Sequence, residues 1–146
     1  MVHKSKRLVS ALLLAALGLS VSYAALAGTV AIEASLSAAN EVPPNSSGGI
    51  GTLEASLDQE TNVLNYTVTY AGMSGPVKAG HFHGPAAAGS NAGVVLPFIG
   101  GVESPVKGTA LLTPAQATDL LASKWYVNLH TAANPGGEIR GQASPK

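Results

Sequence analysis

From residue 29 onward, apolar and polar residues alternate along most of the chain, and Gly or Pro interrupts the alternation at short intervals. In residues 29–38 the apolar positions are Val30, Ile32, Ala34, Leu36 and Ala38. Leu53, Ala55 and Leu57 repeat the pattern in residues 51–57, and Leu64, Tyr66, Val68 and Tyr70 repeat it in residues 63–70. Side chains on a strand point alternately to opposite faces, so a period of two predicts strands with one buried face. Residues 77–83, 93–99, 106–112, 125–131 and 138–143 complete a set of eight such segments. Eight short strands separated by regular turn signals predict an all-β, antiparallel sandwich or barrel.

One segment departs from this period. Thr113, Pro114 and Gln116 have the spacing of a helix N-cap, a proline at the first helical position and a capping-box partner. Ala117, Leu120 and Leu121 follow at helical spacing, which predicts a short crossover helix over residues 114–123. The Pro/Ser/Gly-rich stretch 43–51 reads as a mobile connection. Residues 84–93 (GPAAAGSNAG) form a second Gly-rich loop, and it lacks the Gly-Lys-Ser/Thr ending of a phosphate loop.

The first 27 residues have a different composition. Lys4, Lys6 and Arg7 precede an apolar run from Leu8 to Val21, and Ala25-Leu26-Ala27 supplies a small-x-small cleavage site. This is the layout of a secretory signal peptide. Cleavage after Ala27 predicts a single exported domain over 28–146, periplasmic or secreted, with no membrane attachment afterwards. Five basic residues against eight carboxylates give that part a net charge of −3. With no basic patch and few aromatics, it is a poor partner for nucleic acid. The chain contains no Cys, so disulfides, thiolate nucleophiles and thiolate metal sites are excluded.

The candidate chemistry lies in the histidines. Outside the leader there are three: His81, His83 and His130. His81 and His83 stand at i and i+2, on one face of a strand, with Cβ atoms about 6–7 Å apart. On residues 125–131, Val127 and Leu129 suit the core, whereas Tyr126, Asn128 and His130 share the opposite face. If the two strands are neighbours, three imidazoles meet. Three neutral imidazoles with an open position suit copper or zinc, and nitrogen-ligand affinity favours copper. Glu138 is available as a ligand or as a partner that orients an imidazole. Surface or hydrogen-bonded histidines without a metal are the competing reading.

Three blocks carry a family resemblance: residues 36–44 (LSAANEVPP), 80–85 (GHFHGP) and 126–142 (YVNLHTAANPGGEIRGQ). In order and spacing they resemble the CHRD (chordin-type) domain. The resemblance implies an immunoglobulin-like or Greek-key β-sandwich, and it specifies a fold more firmly than a function.

A more local resemblance bears on chemistry. Gly80-His81-Phe82-His83-Gly84 is similar to the copper motif of copper-zinc superoxide dismutases. His130, Asn134-Pro135-Gly136-Gly137 and Arg140 are similar to the late copper ligand, glycine loop and active-site arginine of those enzymes. This resemblance implies copper at His81, His83 and His130, and a catalytic Arg140 that guides a small anion such as superoxide. The bridging histidine, the remaining zinc ligands and the bracing disulfide have no counterpart, so no zinc site is expected. An ion pair with Glu138, two residues along the same strand face, is the competing role for Arg140. Three functions remain open at this level: a copper-only superoxide dismutase, copper storage or delivery, and a metal-free interaction module whose contact surface is the 84–93 loop. The sequence names no protein partner.

Overall fold

The structure, a computed structural model, describes residues 28–146; the leader lies outside the described residues. Eight strands form: β1 (Thr29–Ser37), β2 (Ile50–Asp58), β3 (Val63–Ala71), β4 (Val77–His83), β5 (Val94–Pro97), β6 (Val106–Leu111), β7 (Trp125–Thr131) and β8 (Ile139–Pro145). A single helix, α1 (Pro114–Leu121), connects β6 to β7. It begins at the expected capping box, with Thr113 and Gln116 exchanging side chain–backbone hydrogen bonds, and it buries Ala117 and Leu120. All eight segments of alternating sequence are strands, because each presents one apolar face to a common core.

The strands form one antiparallel sheet in the order β5-β4-β7-β8-β1-β2-β3-β6. The two expected layers are therefore the two halves of one curled sheet. Aromatic packing across the interior closes the curl. Tyr66 of β3 meets Phe82 of β4 edge-on at 5.1 Å and stacks on Phe98 at 5.3 Å. β3 and β4 each lie one strand in from opposite ends of the sheet, so this contact brings the ends together. Two glycines make room for it. A Cβ on Gly108 would stand 2.2 Å from the Tyr66 ring, and one on Gly80 would stand 2.5 Å from the Phe98 ring.

The other face of β7 and β8 is also covered, but by loops and with polar groups beneath them. Glu138, immediately before β8, is fully buried. Ser47 Oγ donates to its Oε1 at 2.6 Å, the Ser74 backbone N–H donates to the same oxygen at 2.7 Å, and Ser74 Oγ, Thr131 Oγ1 and Asn134 Nδ2 donate to Oε2. Asn45 Nδ2 also donates to the Glu138 carbonyl at 3.0 Å. The 43–51 stretch, expected to be mobile, is therefore fastened at Asn45 and Ser47. Its Ser and Asn residues solvate a buried carboxylate, a role that composition alone does not distinguish from that of a loose loop.

Burial by itself would raise the Glu138 pKa. The hydrogen bonds from Ser47, Ser74 and Thr131 outweigh it and hold the group down at about 2, against an ordinary 4.5. A carboxyl depressed in the fold stabilises it above its unfolded pKa and loses that contribution as pH falls through the folded value. Glu138→Gln is expected to cost roughly 2 kcal/mol near neutral pH, since an amide N–H₂ would face donors. In melting curves the gap between variant and wild type should close as pH falls from 4.5 towards 2. A gap that does not vary with pH would show that the carboxylate charge is not the stabilising element.

Candidate metal centre

β4 and β7 are hydrogen-bonded neighbours, which is the condition the histidine reading required. Their register sets His81 opposite Asn128 and His83 opposite Tyr126, with His130 two pairs beyond Asn128, opposite Ala79. Phe82 on β4 and Val127 and Leu129 on β7 point into the core. By the period of two, His81, His83, Tyr126, Asn128 and His130 therefore share the opposite face. β8 extends these rows, placing Arg140 beside Asn128 and Gln142 beside Tyr126.

The three imidazoles converge. One ring nitrogen from each lies within 4.8 Å of the others, and all three residues are half-buried. His81 Nδ1 is 3.3 Å from His130 Nε2. The far nitrogens of two rings are anchored, with His83 Nδ1 3.0 Å from the Ala92 carbonyl and His130 Nδ1 2.9 Å from the Pro135 carbonyl. Both Nε2 atoms turn to the centre, where they lie 3.0 and 2.9 Å from Asn128 Oδ1; a carbonyl only accepts, so a neutral ring that donates from Nδ1 presents its Nε2 lone pair there. Such anchoring fixes the tautomer and the ring plane of metal-binding histidines. Burial, then the neighbouring His130 and His83, push the His81 pKa down. Burial also lowers that of His83, against the opposing effect of the Ala92 and Asn128 oxygens that can accept from its ring. Both rings are thus held towards the neutral, ligating form.

The 84–93 loop clamps this face. Its Ala92 carbonyl holds His83, while Ser90 O and Asn91 Oδ1 accept from the Arg140 guanidinium, the latter at 2.9 Å. Tyr126 lies between the arginine and the histidine. The guanidinium carbon is 3.4 Å from the Tyr126 ring centroid, and that ring lies parallel to His83 at 4.8 Å.

Two expectations from the sequence change here. Arg140 makes no ion pair with Glu138, whose carboxylate is fully engaged by hydroxyl and N–H donors, and the same contacts keep Glu138 away from the imidazoles. Arg140 itself is only 2% exposed, so a steering role that depends on solvent reaching the guanidinium has little surface to work with. Its charge acts instead on Glu41, which lines the same cavity. Burial raises the Glu41 pKa, and the Arg140 charge together with hydrogen bonds from Asn128 and the Val42 backbone pull it back. Glu41, Asn91 and Asn128 received no role from the sequence. The shared strand face of Asn128 and His130 was visible in the alternation, but Glu41 and Asn91 reach the site from remote loops that carry no periodic signal.

Comparison with known proteins gives one match. The CHRD domain profile covers residues 32–143, most of the chain. No curated protein and no solved structure matches it significantly. The chain belongs to the CHRD domain family.

The anchored tautomers and lowered pKa values lead to a spectroscopic expectation. In metal-free protein, ¹⁵N shifts should place the ring hydrogen of His83 and His130 on Nδ1. The His81 and His83 resonances should titrate below the ordinary 6.5. A ring hydrogen on Nε2 of either residue would show that Asn128 Oδ1, and not the backbone carbonyl, takes its hydrogen bond in the metal-free protein.

Proposed function

We propose that this member of the CHRD family is an exported protein that binds one copper ion through His81, His83 and His130. The observation that carries the reading is the convergence of three imidazoles, two of them already locked by backbone carbonyls with their lone pairs facing inward. The donor chemistry favours copper: neutral imidazoles and no sulfur ligand suit the divalent ion, which heads the affinity series for nitrogen donors. The basic-apolar-small order of residues 1–27 supports export. Among the described residues no helix is long and apolar enough to cross a membrane.

Copper exchanges single electrons between two oxidation states, which is the chemistry that superoxide disproportionation requires. In this reading Arg140 acts from behind Tyr126. Its charge disfavours a proton on His83, and its bonds to Ser90 and Asn91 keep the clamping loop closed over the site.

The test is a copper(II) titration of the purified protein with His81→Ala and His130→Ala alongside. One ion per chain is expected, with a stabilisation of about 2.7 kcal/mol at free copper one hundred-fold above Kd, and both variants should lose it. A superoxide assay on the loaded protein then separates turnover from storage or delivery. Absence of binding, or binding indifferent to either histidine, would leave the metal-free interaction module as the account of the fold.

A further inference from the structure

His83 and His130 are each caught between two oxygen atoms. His83 Nδ1 faces the Ala92 carbonyl at 3.0 Å while its Nε2 faces Asn128 Oδ1 at 3.0 Å. His130 Nδ1 faces the Pro135 carbonyl at 2.9 Å while its Nε2 faces the same Asn128 Oδ1 at 2.9 Å. A neutral imidazole carries one N–H and amide oxygens carry none. Each ring can therefore satisfy only one of its two oxygens, and the other contact sets lone pair against lone pair. Turning the Asn128 amide over would relieve this only by moving the conflict. Its Nδ2 and the Glu41 carboxylate both lie against Gly137, and a flip would turn Oδ1 towards that carboxylate.

A cation among these atoms removes the conflict. We propose that Asn128 Oδ1 is a fourth donor to the metal ion, which makes the site a three-nitrogen, one-oxygen set. The inference rests on the copper-binding reading and extends it. The donor spacings of 2.9, 3.0 and 3.3 Å match the edges of a four-coordinate site, which are about 3.3 Å for tetrahedral bonds of about 2.0 Å and somewhat shorter for a flattened one. Asn128 is 4% exposed and held from both sides. Glu41 takes its nitrogen, and the β4–β7 register fixes its backbone directly opposite His81. A neutral, hard oxygen added to three imidazoles selects the divalent ion over the softer cuprous one.

Copper(II) binding and electron paramagnetic resonance spectra of wild type, Asn128→Leu, Asn128→Asp and His130→Ala test this, with metal-free melting curves establishing that each variant folds. Asn128→Leu is expected to bind copper about ten-fold or more weakly and to change the g and copper hyperfine values. Asn128→Asp returns an oxygen donor, so it should recover the affinity and give a spectrum of its own because the donor is charged. If Asn128→Leu fails to fold, the Asp variant decides the question: an unchanged spectrum places the oxygen outside the coordination sphere. Wild-type affinity and spectrum in a folded Asn128→Leu overturn the fourth donor and leave the three-histidine site standing. Failure of wild type to bind, or binding unaffected by His130→Ala, overturns both readings.

Discussion

A polar group removed from water must find a partner inside the protein. The outer face of β7 and β8 carries a succession of such groups: Tyr126, Asn128 and His130 on one strand, Glu138 just before the next, and Arg140 and Gln142 on it. The inner face is an ordinary apolar core, and it leaves no choice about which residues point outward. The polar groups must then be satisfied by whatever covers them. Ser47 and Ser74 serve Glu138, residues 90–92 serve Arg140 and His83, Pro135 serves His130, and Glu41 serves Asn128. The loops are thus ordered from below, by the strands they cross. The histidine centre is one part of this polar second core.

The strands could be read from the chain because each has a wet and a dry face, and a period of two records that directly. The helix could be read because Thr113, Pro114 and Gln116 satisfy the free backbone groups of its first turn by local contacts. The histidine grouping was legible to the same depth, since the i, i+2 pair and the face of His130 follow from alternation alone. What alternation does not contain is the register between strands distant in sequence. The opposition of His81 and Asn128 depends on pairing across some fifty residues, and the part played by Asn128 was hidden with it. The 43–51 stretch was misread for a related reason. Serine and asparagine make a loop look solvated, and here the group they solvate is an internal carboxylate.

Arg140 illustrates how a local motif can keep its residues while its geometry changes. The order of residues after His130 is similar to that leading to an active-site arginine, at a shorter separation, yet the side chain is roofed by Tyr126 and tied to the 84–93 loop. Electrostatics still connects it to the site. A fixed positive charge behind the aromatic ring favours a neutral His83, which is the form a cation requires. The charges of Glu41 and Arg140 act on one another, so the guanidinium is not an isolated buried charge.

His81 and His130 are separated by 49 positions in the chain, and in the proposed copper-binding reading this bears on when an ion could be acquired. Before folding, the chain offers only the adjacent His81–His83 pair, a weak bidentate hook of the kind many peptides possess. The third imidazole joins them only when β7 pairs with β4. In the copper-binding reading, capture of the ion and completion of the topology are therefore a single event. If the chain is exported as proposed, it would cross the membrane without its metal, and the ion would be chosen from the supply on the far side.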